Sequence, residues 1–424
     1  MINNSLLYCT IICISFVFLS YKKIGLKNKT YILPSTIFAL IWGITSFGGY
    51  LYSNQLIGES DYYYYAEHLD EIGKYQMMIL LTAICAFYLV RIKYKSQQIS
   101  IPFYFGNVEI PILYKKLRWV LYTFFIIGIF RLAIVVSSVG FDYAIIRSSY
   151  VEGRTAYNSI DLNFIRLGSY LLQFSQLYIC LLGIDSATNG IRLKKVIIDF
   201  LLFCPFQLSF GGRLFILSFF MPYIISYLLT FTSMRNLSIN KKQEIRKFTK
   251  LIFIPVFLII FFQILKMGVS LDLQSLSEFS TEIFYTSSSY RHINEFLIGI
   301  PNDYNHELGK NIMGFSSDIY KEIKESWIET RNSAIVCIPS MIPQMYLDFG
   351  KIGSLPIYFM IFYNMEKYAF VSLRETSLKG FLVFILLCLL AYQTAASSVS
   401  DLLKSFIVGY IAIKLLLITT PKNI

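Results

Sequence analysis

The chain is 424 residues long, 55% hydrophobic and only 15% charged, where a soluble domain carries about 25% charged residues; that excludes an ordinary cytosolic enzyme. The formal net charge is +12. The Lys and Arg nevertheless sit at the ends of apolar blocks, with no continuous basic patch interleaved with aromatics, so no nucleic-acid partner is expected and the cations set membrane topology instead.

A bilayer core about 30 Å thick takes about 20 residues of helix, and the apolar blocks have that length. In chain order they predict eleven spans, at residues 4–20, 30–52, 75–90, 117–136, 164–184, 196–210, 214–232, 251–267, 352–371, 381–399 and 403–419. The expected fold class is all-α: a polytopic integral membrane protein whose residues 1–424 form a single transmembrane helical domain. No Lys or Arg precedes the first block, while Lys22, Lys23, Lys27 and Lys29 follow it. It reads as a retained span that starts outside, because a cleaved signal has a positive leader. Six of the 7 Cys (Cys9, Cys13, Cys85, Cys180, Cys204, Cys388) fall in spans and Cys337 outside them, so neither a disulfide framework nor a paired-Cys metal site is expected. No internal repeat of the kind common in transporters is visible.

Alternate connections beginning at Tyr21, Arg91, Asp185, Ser233 and Ser372, with the C-terminal tail, hold more than half of the 38 Lys and Arg. Their density is roughly fourfold that of the opposite set, which puts them in the cytoplasm by the positive-inside bias. The outer side then carries a Tyr-rich acidic loop at Ser53 to Lys74 with His68, a loop at Ser137 to Asn163, and a long segment at residues 268–351 between the eighth and ninth spans. A connector of that length is usually functional or carries its own helices. Residues 278–300 and 318–329 are expected to form short amphipathic surface helices.

Several cations lie where the outer leaflet begins. Arg131 is in the fourth span, about five residues, or roughly 8 Å, below its outer end. Arg166 lies just inside the fifth span, Lys266 near the outer end of the eighth, and Arg213 after Gly211 and Gly212 at a tight outer turn. An Arg at membrane depth needs an ion partner, a wet cavity or a route to the headgroups, so Arg131 and Lys266 either snorkel to the interface or meet an anion there. Glycines without side chains let backbone amides approach an anion at a helix start, and the Arg213 guanidinium adds a fork of donors. Arg147, Arg154, Arg291 and Arg331 are further external arginines, each beside hydroxyl, aromatic or amide residues. Arg331 has Glu325 and Glu329 close by, whereas Arg291 is followed by His292 and Glu295. Planar donors suit phosphate, and rings, amides and hydroxyls suit sugars. General-base candidates are Glu295, Asp303, His306 and Glu307, clustered in the late outer segment. No histidine has metal-ligand spacing, no nucleophile elbow occurs, and neither a metal nor a cofactor is expected.

The paired glycines with Arg213 opening a helix, the large late outer loop with its arginines, and the re-entry segment at Ile338 to Phe359 resemble the Wzy-type oligosaccharide repeat-unit polymerases of O-antigen and capsule assembly. The likeness in architecture spans nearly the whole chain, through short motifs. It implies an inner-membrane glycosyltransferase of lipopolysaccharide or capsular polysaccharide biosynthesis, acting on the outer face of the bacterial cytoplasmic membrane. A growing glycan on undecaprenyl diphosphate would pass to the terminal sugar of an incoming undecaprenyl-diphosphate-linked unit, with membrane lipid and a chain-length regulator protein as further partners. By position, Arg213, Arg147 and Arg291 match the family's outer arginines, and Asp348, Gly350 and Gly353 match its late boundary element, the two glycines letting the chain turn back into the bilayer. Catalysis would rest on Arg213, Arg291, Arg147 and a base such as Glu295 or His306, and substrate binding on Gly211, Gly212, Arg131, Arg154, Arg331 and His292. The related O-antigen ligases carry a His-[Asn/Ser/Gln]-x9-Gly pattern that neither His306 nor His292 fits. A lipid-linked-oligosaccharide flippase, the reading from another class, would show repeat symmetry, short loops and several deep charges.

Overall fold

In a computed structural model of the chain, the described residues are 4–23, 33–53, 66–94, 110–140, 159–209, 214–233, 241–267, 306, 308–311, 341–374, 377–394 and 399–418. They form eleven α-helices and no strand: α1 (Ser5–Lys23), α2 (Pro34–Ser53), α3 (Ala66–Tyr94), α4 (Ile110–Val139), α5 (Ser159–Asn189), α6 (Leu193–Leu208), α7 (Leu214–Ser233), α8 (Lys241–Met267), α9 (Met341–Arg374), α10 (Leu378–Gln393) and α11 (Val399–Ile418). Each helix contains most or all of one apolar block read from the sequence, and most helices continue beyond it into polar flanks. α3, for example, starts at Ala66 rather than near 75. The backbone hydrogen-bond ladder carries a helix past the last apolar residue, until a cap or a breaker stops it.

The chain divides into two compact units: residues Met1–Ser100, Leu271–Arg374 and Leu387–Phe406 in the first, and Ile101–Ser270, Glu375–Leu386 and Ile407–Ile424 in the second. In the first, α1 packs on α2 and α3, and α9 packs on α3 and α2. Its centre is aromatic: the Phe38 ring lies 4.6 Å from that of Phe362 and 5.6 Å from that of Phe87. In the second, α5 packs on α7 and α4, and α4 on α6, around Phe203, Phe206 and Phe219.

Stretches within α3 (Gly73–Tyr94) and α4 (Leu117–Ser138) are long and apolar enough to cross a membrane. Outward-facing positions are also apolar: Trp119 is 74% exposed, Phe257 66% and Phe253 65%.

Two devices bring helices close or bend them. A Cβ on Gly128 of α4 would run into the Phe206 backbone nitrogen and Cα, so the bare glycine is what lets α4 and α6 meet backbone to backbone. In α9, Gly350 has φ +70° and ψ −178°, a conformation that only glycine adopts without strain. It splits the helix into a short arm, Met341 to Phe349, and a long one.

Candidate functional site

Of the residues singled out by sequence, Arg131, His306, Asp348, Gly350 and Gly353 are described with their side chains or backbone. Lys266 and Arg166 lie in α8 and α5, and His68 in the first turn of α3. Arg147, Arg154, Gly211, Gly212, Arg213, Arg291, His292, Glu295, Asp303, Glu307, Arg331 and Cys337 lie outside the described residues, as do the surface helices expected at 278–300 and 318–329.

Arg131, in the second unit, is fully buried. Its Nη1 donates to Ser209 Oγ, and its guanidinium carbon lies 5.9 Å from the centre of the Phe206 ring. Ser209 Oγ in turn donates to the Phe206 carbonyl. Pro205 sits inside the last turn of α6, and Ser209 follows it as the C-cap, its amide donating to the Pro205 carbonyl at 3.2 Å. The cation therefore turns inward to the end of α6, just ahead in sequence of Gly211, Gly212 and Arg213. The cation–π contact and the charged hydrogen bond offset part of its desolvation.

In the first unit, His306 and the turn Leu308 to Asn311 dock on the short arm of α9. Asp348 holds the turn twice. Its carbonyl accepts from the Leu308 amide at 3.0 Å. Its Oδ1 accepts from Asn311 Nδ2 at 2.7 Å and from the Asn311 amide at 3.1 Å. Leu308 has φ +41°, an uncommon conformation for a non-glycine residue that persists where the surroundings over-determine it. His306 Nδ1 lies 3.1 Å from the Leu347 carbonyl, and its ring meets Tyr346 edge to face with centroids 6.3 Å apart. A Cβ on Gly350 would stand 2.7 Å from His306 Nε2. Behind this lies a buried hydroxyl pair, Tyr75 of α3 and Ser354 of α9, at 2.6 Å, with Tyr346 6.0 Å from the Tyr75 ring.

Sequence reasoning missed Asn311, Tyr75, Tyr346, Ser354 and Ser209. Each is a polar or aromatic residue whose partner is distant in sequence; Tyr346 and Ser354 lie in the re-entry segment at Ile338 to Phe359, where nothing local marks them. Two further buried polar clusters also went unseen. Arg91 of α3 pairs with Glu366 of α9 at 3.1 Å and donates to Ser35 of α2 at 2.5 Å, while Ser35 Oγ donates to Glu366 at 2.6 Å. Asp199 of α6 accepts from Tyr178 at 2.6 Å and faces Arg118 at 3.6 Å. Among the described residues, no group of three or more His, Cys, Asp or Glu is arranged to hold a metal ion.

No family model, curated protein or solved structure matches this chain.

Proposed function

We propose that the protein is a polytopic membrane glycosyltransferase that polymerises undecaprenyl-diphosphate-linked oligosaccharide units on the outer face of the cytoplasmic membrane, with its N-terminus outside and its C-terminus in the cytoplasm. The membrane part of this reading is supported by the apolar blocks that the eleven described helices contain, by the two stretches in α3 and α4 long and apolar enough to cross a membrane, and by exposed large apolar side chains. The observation that carries the chemistry is Arg131: a fully buried cation directed to Ser209 at the end of α6, beside the sequence Gly211-Gly212-Arg213.

In the reaction, Arg213, Arg147 and Arg291 bind the diphosphate of the growing chain. Their fixed positive charge is stronger toward the departing diphosphate than toward the bound ester, an effect worth about 3 to 4 kcal/mol for a well-placed donor. A base from the late loop takes the proton of the acceptor hydroxyl, and undecaprenyl diphosphate leaves. Arginines rather than a metal neutralise the leaving group in this scheme.

The test is reconstitution into vesicles with the lipid-linked repeat units that accumulate in a source strain lacking the protein. Growth of a glycan ladder without ATP or nucleotide sugar is the expected result. Movement of the lipid between leaflets with no ladder would replace polymerase by transporter.

A further inference from the structure

We propose that an acidic phospholipid of the inner leaflet seats its phosphodiester on a basic cluster at the neighbouring N-terminal ends of α4 and α6, formed by Lys115, Arg118, Arg192 and Lys194. This rests on the membrane-spanning part of the proposed function and its topology, and not on the polymerase chemistry.

α4 and α6 lie in the second unit and run side by side in the same direction. Arg118 faces Asp199 at 3.6 Å, the Phe124 ring lies 5.2 Å from that of Phe203, and Arg131 donates to Ser209. Both numbers rise together along the pair, so the two N-terminal ends lie together. Lys195, in the first turn of α6, is within electrostatic reach of Arg118 and Arg192, which puts both arginines in one neighbourhood.

On α4, Lys115, Arg118, Trp119 and Tyr122 follow the i, i+3, i+4, i+7 spacing of a single helix face. The Arg118 guanidinium carbon lies 5.5 Å from the centre of the Tyr122 ring, and the Trp119 ring meets the same tyrosine edge to face at 5.9 Å. Trp119 is largely exposed, as suits an indole at the level of lipid head groups. Farther along α4, Ile126, Ile129 and Phe130 are exposed and apolar. α6 repeats the order: exposed Lys194 is followed by exposed Ile197, Ile198 and Leu201. Cations first and apolar surface next, on two parallel helices, match a phosphate head followed by acyl chains.

The charges do not cancel within the protein. Asp185 and Asp199 face this cluster, and both are buried. Asp199 Oδ2 already accepts from Tyr178 at 2.6 Å and Asp185 Oδ1 from Asn189 at 2.8 Å. Among the described residues, Lys115, Arg192 and Lys194 belong to no ion pair, and Arg118 Nε is buried without an acceptor. Guanidinium groups offer planar donors that fit phosphate oxygens, and basic clusters between helix ends on the cytoplasmic side suit acidic head groups.

The experiment uses the full chain with Trp327→Phe, so that emission comes from exposed Trp119 and buried Trp42. It is reconstituted in phosphatidylcholine vesicles that contain equal fractions of brominated phosphatidylglycerol or brominated phosphatidylcholine, and quenching of Trp119 reports which lipid lies beside the ring. Each basic residue near the surface favours an acidic lipid about fivefold, so a preference of at least about tenfold for phosphatidylglycerol is expected. Arg192→Gln with Lys194→Gln, which breaks no ion pair, should reduce it to about twofold or less. Arg246→Gln with Lys250→Gln, an equal loss of charge at exposed positions of α8, should leave it unchanged. Equal quenching by the two lipids in the parent protein, a preference that survives Arg192→Gln with Lys194→Gln, or one that falls equally in the α8 variant overturns the site and leaves the spans in place. Loss of the preference on adding inorganic phosphate would assign the cluster to a free anion and overturn the lipid. Quenching by neither lipid would take α4 out of the bilayer, and the membrane reading would fall with the proposal.

Discussion

Arg91 and Glu366 are 2% and 0% exposed at their side chains, and Ser35 satisfies both of them. Removing one member of such a pair strands the other charge, at a cost of about 3 to 5 kcal/mol, whereas replacing both by apolar residues of similar volume costs far less. Glu366→Ala should therefore lower the thermal midpoint of the detergent-solubilised protein sharply, and Arg91→Met with Glu366→Leu should regain most of the loss. An additive double mutant would mean that the two charges are not coupled. In the sequence Arg91 carried only a topological meaning, because its partner is 275 residues away and no local pattern links them. Arg131 was legible as a buried cation from its place inside an apolar block, but its partner Ser209 was not. Arg131→Met leaves Ser209 still bonded to the Phe206 carbonyl, so the fold should persist while ladder growth is lost. Arg213→Ala should likewise abolish chain extension and leave membrane insertion intact. Arg213→Lys should rescue poorly, because a point charge does not reproduce the guanidinium fork. Normal ladders from Arg213→Ala would remove that residue from the mechanism.

The helices themselves were legible, since each needed only a long apolar run, but several limits were not: α3, α4 and α8 start in charge-bearing segments ahead of their apolar runs. α9 shows why. Its apolar run predicts a start at 352, yet the helix begins at Met341, with the polar residues Gln344 and Asp348 buried in its short arm. Hydropathy misses such an arm because its polar groups are neutralised by partners, Asn311 for Asp348, that no periodicity reveals. The two glycines there also differ, although the sequence alone treats them alike. Gly350 has φ +70° and faces His306, whereas a Cβ on Gly353 would meet only Phe349 Cβ at 3.5 Å, an ordinary contact. Gly350→Ala should therefore cost about 1 to 3 kcal/mol from backbone strain alone and displace His306 besides. Gly353→Ala should be neutral or stabilise slightly, as expected for a glycine inside a helix. Thermal melting of the two variants side by side checks this, and equal effects would deny Gly350 its special role.

At the scale of the molecule, the charge of +12 acts through its distribution. Lys and Arg are expensive to carry across a bilayer, so the connections rich in them stay on the cytoplasmic side. In the proposed topology the connections at 91–116, 185–195 and 233–250 lie on that side, and residue 213 and the segment 268–351 on the other. The described cysteines are buried apart from Cys85, which lies in the middle of α3, so once Cys337 of the 268–351 segment is replaced by Ser, background labelling by a charged maleimide should be low. Single cysteines placed at residue 213, within 268–351 and near residue 240 would then divide cleanly. The first two should react in intact cells with a membrane-impermeant reagent, and the third only after the membrane is opened. The proposed chemistry depends on this division, because lipid-linked repeat units would reach the protein from the outer leaflet and the arginines proposed to grip their diphosphate would have to face it. Protection of residue 213 in intact cells, with labelling near 240, would place Arg213 on the wrong side of the bilayer for any substrate of that kind.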